Sequence, residues 1–194
     1  MLPAAARLAA PYTPWPAPPS LVTLLPRVLG NGAGGAPLQV LGATITSKVV
    51  AEQTNNAYAL FELACPPGAG APVQRGREDL VLFVLEGELT LTVDWREHRA
   101  GLGASAFVPR GTPHGYRNAS GRPARALLLC APGTGREGLF AALDAWARVG
   151  GPGGGPPDVR VLPAICAEFG VELLSESCLP SCGGACPPVA ALPS

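Results

Sequence analysis

The sequence predicts a mainly β fold, in which short strands form a sandwich or barrel and a short helical extension follows. Three observations predict this architecture. Short apolar runs recur at near-regular spacing, turn residues separate them, and the apolar period changes from two residues to about 3.6 after Pro132. Gly (25) and Pro (23) make up about a quarter of the 194 residues, as in a turn-rich β protein with flexible extensions.

The predicted strands are rich in Val, Leu, Ile and Thr. They cover residues 40–51, 57–64, 81–85, 89–93, 105–108, 115–118 and 126–130. Residues 88–94 alternate between polar and apolar, which indicates one buried face and one wet face. Residues 80–85 are apolar on both faces, so we expect this strand to lie in the interior or under another element.

Two helices are predicted after the last strand. The first covers residues 137–149, where four large apolar residues recur at helical spacing: Leu139, Phe140, Leu143 and Trp146. Residues 150–157 are expected to form a flexible break. A second, short helix carries Leu162, Ile165 and Phe169 and ends at Gly170, a residue type that commonly follows a helix terminus.

Composition argues against several classes of partner. The formal net charge is 0 and the isoelectric point is about 6.7, with no basic stripe to hold nucleic-acid phosphates, so we expect no nucleic-acid partner. The longest apolar runs fall far short of the ~20 residues that span a bilayer, so we expect no membrane partner either.

The first 51 residues contain no Asp or Glu and carry only three charged side chains, Arg7, Arg27 and Lys48. An acid-free start is typical of organelle transit segments, yet the prolines between positions 11 and 19 prevent an amphipathic helix there. We therefore interpret residues 1–37 as a flexible arm of a cytoplasmic protein, with organelle import as the alternative.

The C-terminal segment 175–194 contains three evenly spaced cysteines, Cys178, Cys182 and Cys186. This spacing matches neither zinc ribbons nor ferredoxins, and the surrounding Pro, Ser and Gly cannot build a core, so we predict a disordered tail with free thiols. Cys65 and Cys130 lie on predicted strands and are expected to be small core residues.

The stretch from Gly103 to Asn118 has a defined spacing, with Pro109, Gly111 and His114 between its ends. Glycine tolerates the positive φ of a tight turn, and proline belongs at a strand end because it cannot donate to the ladder. His114 is expected to start the next strand. This stretch resembles the second signature of the cupin barrels at every defining position.

An upstream stretch, residues 66–87, resembles the first cupin signature. In metal-binding cupins that signature supplies two histidines and a glutamate before a glycine, which corresponds to Gly87 here. One spacing places those ligands at Val73, Arg75 and Leu80, and a spacing one residue shorter places the two histidines at Gln74 and Gly76. None of these positions holds a histidine, whichever spacing applies.

The resemblance covers about residues 38–132, and the helical extension at 133–174 is consistent with it. It implies a double-stranded β-helix, or jelly-roll barrel, with a ligand pocket inside. Among cupins the chain looks most similar to small bacterial quercetinase-like proteins of the type-2 group. That similarity implies a homodimer and, in metal-bearing members, dioxygenase, isomerase or decarboxylase chemistry on small organic molecules.

A metal site needs three or four converging ligands. The chain has two histidines, and His98 is predicted to lie in a turn between strands. Glu78 could supply one carboxylate beside His114 at the barrel mouth. We therefore expect a degenerate metal site, with neither a metal nor another cofactor.

The first functional hypothesis is a metal-free cupin that binds a small anionic or phenolic molecule. Arg75 would point into the barrel opposite His114 and replace the positive charge of the metal. Apolar walls are expected from Leu82, Val84, Phe107 and Tyr116. The alternative is that Arg75 lies in solvent at the barrel mouth.

The second hypothesis is an enzyme that uses His114 as a general base, oriented by the Glu78 carboxylate. It would be a dioxygenase of the quercetinase type or a metal-free isomerase or lyase. The third hypothesis is a non-catalytic structural or regulatory cupin.

Overall fold

The structure is a computed structural model that describes residues 35–149 and 157–174. Eleven strands lie within these residues, and all their pairings are antiparallel. In chain order they are β1 Leu38–Val40, β2 Ala43–Val49, β3 Ala59–Cys65, β4 Gly70–Arg75, β5 Asp79–Glu86, β6 Glu88–Val93, β7 Arg96–Gly101, β8 Ser105–Val108, β9 His114–Arg117, β10 Ala124–Ala131 and β11 Glu172–Leu173.

The strands form two sheets. The first has six strands in the order β1-β2-β3-β10-β5-β8, and the second has five in the order β11-β4-β9-β6-β7. Chain neighbours such as β4 and β5 belong to different sheets, so the chain crosses repeatedly between them. This two-sheet antiparallel arrangement is the jelly-roll expected from the sequence.

The core lies between the sheets and follows the two-residue period of the strands. In β3 every second residue is buried, with Phe61 and Leu63 at 0% exposure. The other sheet contributes Leu89 of β6, which is also fully buried. Burying one such side chain stabilises the fold by about 1.5–3 kcal/mol, so these inner faces hold the two sheets together.

Two helices follow the barrel, α1 at Arg136–Val149 and α2 at Leu162–Glu168; we call them together the helical cap. The Phe140 ring of α1 meets Phe61 edge to face, with centroids 5.0 Å apart. The Asp144 carboxylate accepts a hydrogen bond from the Gln39 backbone N–H at 2.7 Å. The cap is therefore packed onto the barrel and tied to β1. Two short 3₁₀ segments complete the described structure, Ala51–Thr54 and Val159–Val161.

The second signature forms the local structure predicted for it. Gly103 and Gly111 have φ of +81° and +77°, and Pro109 follows the end of β8. Asn118 is 1% exposed and links three chain segments. Its Nδ2 donates to the carbonyls of Cys65 and Arg122 at 2.7 Å each, and its Oδ1 accepts from Ser120. The asparagine therefore holds the turn after β9 against the end of β3.

Several sequence-based expectations about the elements need correction. His98 lies on β7 instead of in a turn, because the turn falls at Asp94 and Trp95, both with positive φ. The predicted strand 40–51 is two strands separated by a turn at Leu41 and Gly42. Strands β4, β7 and β11 were not predicted. Residues 80–85 form the middle of β5. They were expected to be buried on both faces, yet Phe83 on the outer face is 40% exposed.

Cys65 and Cys130 are buried in the core, and burial raises the pKa of each thiol to about 12. No helix within the described residues is long and apolar enough to cross a membrane. The predicted N-terminal arm and the predicted break at 150–157 lie largely outside the described residues, and the predicted tail with its three cysteines lies wholly outside them.

Candidate small-molecule site

A cavity lies between the two sheets and under the helical cap. Its volume is about 60 Å³, which is room for about four water molecules. Most of its wall is apolar, with side chains from both sheets and both helices: Leu80, Leu82, Leu91, Val108, Leu128, Leu139, Phe140 and Leu162. The polar side chains on the wall are Gln74, Thr92, His114, Tyr116 and Arg136. A mostly apolar wall with a few polar groups is typical of small-molecule binding sites.

His114 is the first residue of β9 and is paired with Gln74 of β4. Its Nδ1 lies 2.8 Å from the Thr112 carbonyl oxygen, which can only accept a hydrogen bond. Nδ1 therefore carries the ring proton of the neutral imidazole, and Nε2 presents a lone pair. Nε2 is buried and has no hydrogen-bond partner within the described residues.

Burial lowers the pKa of His114 below its ordinary value of 6.5. The hydrogen bond to the Thr112 carbonyl opposes this effect, the nearby charge of Arg136 adds to it, and Glu78 opposes it. The imidazole is therefore neutral at physiological pH, so Nε2 can accept a hydrogen bond or a proton.

Arg136 begins helix α1 and is 3% exposed. Its Nη2 lies 3.3 Å from Oε2 of Glu78, which is 4% exposed. The Nε of the same guanidinium is buried and has no partner among the described residues. A charged side chain of the helical cap thus reaches the cavity of the barrel and keeps one donor free.

Gly76 leaves room for this ion pair. A Cβ built on Gly76 would lie 2.6 Å from Oε2 of Glu78 and 3.1 Å from Nη2 of Arg136. Contacts between non-bonded atoms at these distances are shorter than van der Waals separations. The pair therefore occupies the space that any side chain at position 76 would need.

The residues predicted for the site do not all meet in the cavity. His114, Tyr116 and Leu82 line it. Arg75 does not: its side chain is 49% exposed and its Nε donates to Glu172 of β11 at 2.8 Å. Phe107 is 64% exposed on the outer face of β8. Because side chains alternate along a strand, Gln74 faces the cavity where Arg75 was expected, and Ala106 and Val108 face it where Phe107 was expected.

Val84 is fully buried in the core and is not on the cavity wall. Glu78 does not orient His114 as expected, because its carboxylate is paired with Arg136 and the imidazole is held by Thr112.

Comparison with known protein families gives a match over the centre of the barrel. Residues 61–130, from β3 to β10, match the model of the Cupin domain. The chain contains a cupin domain. The match ends six residues before Arg136, so the cupin model does not include the helical cap.

Among curated proteins, this cupin is 35% identical over 94 residues to a Myxococcus xanthus protein named Endoribonuclease YbeY. The aligned region is 48% of this chain and 30% of that protein, so the match covers less than a third of its length.

Solved structures similar to this cupin include the TT1209 protein from Thermus thermophilus. The identity is 37% and the TM-score 0.38, over 39% of this chain and 72% of that one. An RmlC-like cupin from Shewanella frigidimarina is 20% identical with a TM-score of 0.48, over 55% of this chain and 92% of that one.

The donor set of this cupin does not fit a metal. Within the described residues no group of three or more His, Cys, Asp or Glu side chains could hold a metal ion. The structure follows the shorter spacing of the first signature, since Gln74 lies opposite His114 and lines the cavity with it. Gly76 has no side chain, and Leu80 is apolar. Of the metal-binding positions only His114 keeps a typical ligand.

Sequence reasoning missed three polar residues of the cavity wall, Gln74, Thr92 and Arg136. Gln74 was available from the shorter spacing of the first signature, which already placed it at a ligand position. Arg136 has no distinguishing signal, since it is a single basic residue one position before the predicted helix 137–149.

Proposed function

We propose that this cupin binds a small organic molecule in the barrel cavity without a metal ion. One observation carries the proposal: two residues of the cavity wall, His114 and Arg136, each have a buried polar atom, Nε2 and Nε, with no partner within the described residues. A buried polar atom left without a hydrogen bond costs about 1–3 kcal/mol. A ligand that satisfies both atoms recovers this free energy on binding.

The cationic group of this site is supplied by Arg136. Arg75, the residue expected from the sequence, pairs with Glu172 outside the cavity. A guanidinium is a strong, directional donor to oxygen. Its position next to Gly76 supports the view that it stands in for a lost metal ligand.

A second candidate function is an enzyme that uses His114 as a general base. The observation that favours it is that His114, a residue of the cavity wall, has a neutral imidazole whose Nε2 has no partner within the described residues. In this proposal the Thr112 carbonyl, and not Glu78, sets the tautomer. The donor set leaves a metal-free isomerase or lyase as the enzyme class, since a quercetinase-type dioxygenase needs a metal. The homodimer stays a prediction that sedimentation would check.

A thermal-shift screen of the full chain with phenols, keto acids and sugar nucleotides tests the proposal. We expect a ligand that raises the melting temperature of wild-type protein and of Arg75→Ala but not of His114→Ala. Turnover of that ligand separates the enzyme from the binder. If no compound binds, the structural or regulatory hypothesis is favoured instead.

A further inference from the structure

We infer that the cavity selects a ligand with a hydroxyl group, such as a phenol, enol or small alcohol, over one with a carboxylate. The hydroxyl hydrogen is donated to His114 Nε2, and the hydroxyl oxygen accepts from Arg136 Nε. This inference rests on the proposed function and narrows the chemical class of the ligand.

The first argument concerns donors and acceptors. The Nε2 atom of the neutral His114 ring can only accept, because the ring proton is on Nδ1. The Nε–H of Arg136 can only donate. A single hydroxyl group complements both atoms chemically, since it donates one hydrogen bond and accepts others. A carboxylate has no hydrogen to give and leaves Nε2 without a partner.

The second argument concerns charge. The positive charge of Arg136 is already paired with Glu78, and both side chains are almost fully buried. The other polar groups of the wall, Gln74, Thr92 and Tyr116, are neutral. Burial raises the pKa of Tyr116, which keeps its hydroxyl protonated. The wall has no excess positive charge, so a buried carboxylate would lose its hydration without a free counter-ion.

The third argument concerns size. A benzene ring occupies a cavity of about 150 Å³, whereas this cavity has about 60 Å³. A small alcohol fits the cavity as it is, and a ring binds only if the cavity enlarges.

NMR titration of the full chain at pH 7.5 tests the inference with matched probes of two sizes. The ring probes are phenol, toluene and benzoate, and the small probes are propan-2-ol and acetate. At this pH the phenol is neutral and both carboxylates are ionised, since the pKa of a phenol is about 10 and that of a carboxyl group about 4. Within each size class we expect the hydroxyl probe to bind about tenfold or more tightly than the other probes. We also expect it to shift the NMR signals of the His114 ring nitrogens.

The control variants are His114→Phe and His98→Phe, since His98 is the other histidine and is exposed on β7. We expect the preference of phenol over toluene to disappear in the first variant and to persist in the second. If His114→Phe fails to fold, the ring nitrogen shift in wild-type protein decides. Tighter binding of benzoate than phenol, or bound phenol without a shift at His114, would overturn the hydroxyl inference and leave the proposed binding function intact. Binding of no probe at either size counts against both.

Discussion

The guanidinium of Arg136 and the carboxylate of Glu78 form a buried ion pair, with Nη2 3.3 Å from Oε2 and side-chain exposures of 3% and 4%. The pair joins helix α1 to the residue that precedes β5. It is the most buried salt bridge among the described residues, and the others all have at least one partner that is more than a quarter exposed. The link between barrel and helical cap is therefore electrostatic as well as apolar.

Removing one partner of this pair should be strongly destabilising. We expect Arg136→Ala to lower the free energy of unfolding by about 3–5 kcal/mol, because it leaves the Glu78 carboxylate buried and uncompensated. Urea unfolding followed by circular dichroism measures the change. The double variant Glu78→Leu/Arg136→Leu should recover much of the loss, since no buried charge remains. Arg160→Ala, from an exposed pair with Asp158, is the control and should change nothing measurable.

Gly76→Ala tests whether the space at this position is needed for the ion pair. The new Cβ would lie 2.6 Å from Oε2 of Glu78, so we expect a loss of about 1–3 kcal/mol from the forced rearrangement. Gly101→Ala is the matched control, because nothing lies within 4 Å of its added Cβ. Equal unfolding midpoints for the two variants would mean that the pair can move aside at no cost.

Protonation of His114 should make stability depend on pH. Burial lowers the pKa of His114 in the folded protein below 6.5, the value expected for the unfolded chain. Between these two pKa values the unfolded state binds more protons, so the free energy of unfolding falls as pH is lowered through this window. We expect wild-type protein to lose more stability than His114→Phe between pH 7.5 and pH 5.5. His98→Phe should follow the wild-type profile, and a His114→Phe profile that also follows it would contradict the prediction.

Elemental analysis of the full chain, purified without added metal, should find well under one equivalent of Fe, Mn, Ni, Cu or Zn. The reason is the donor set, in which Gln74, Gly76 and Leu80 stand at the positions that metal-binding cupins fill with His and Glu. About one equivalent of metal that is lost in His114→Ala would restore a metal-dependent interpretation of the cavity. Metal lost only in Cys182→Ser would instead place it in the C-terminal segment.

Asn118→Asp should destabilise the barrel although it preserves the shape of the side chain. The Asn118 amide donates to the buried carbonyls of Cys65 and Arg122, and a carboxylate cannot donate. We expect a loss of at least about 2 kcal/mol in the free energy of unfolding. Asn56→Asp, at an exposed turn position, is the control. If the two variants unfold at the same urea concentration, the hydrogen bonds donated by the Asn118 side chain do not stabilise the barrel.

The barrel was predictable because its signals are local. Gly103, Pro109 and Gly111 each require a particular backbone conformation, and the two-residue period identifies the strands around them. Which side chains line the cavity was less predictable, since a one-residue error in register moves every side chain of a strand to the opposite face of the sheet. Arg75 and Phe107 were both assigned to the cavity through this error.

Arg136 was not predictable from local pattern. It reaches the cavity because helix α1 packs against the barrel, and this contact joins residues 58 positions apart in the chain. Isolated arginines at helix starts are commonly exposed, and the sequence contains no mark that distinguishes this one. Glu78 was noted as a candidate, but its partner was expected to be His114.

The source of Arg136 has a consequence for how this barrel acquires its chemistry. Residues 61–130 belong to the barrel around the cavity, whereas the cationic donor is on a separate element, the helix that begins at Arg136. Under the proposed function, a barrel built in this way can change its ligand preference by exchanging its extension while strands β1 to β10 keep their sequence. The reverse also holds: a chain cut before α1 would keep the cupin match and lose the guanidinium, so barrel similarity and the proposed ligand chemistry depend on different parts of the chain.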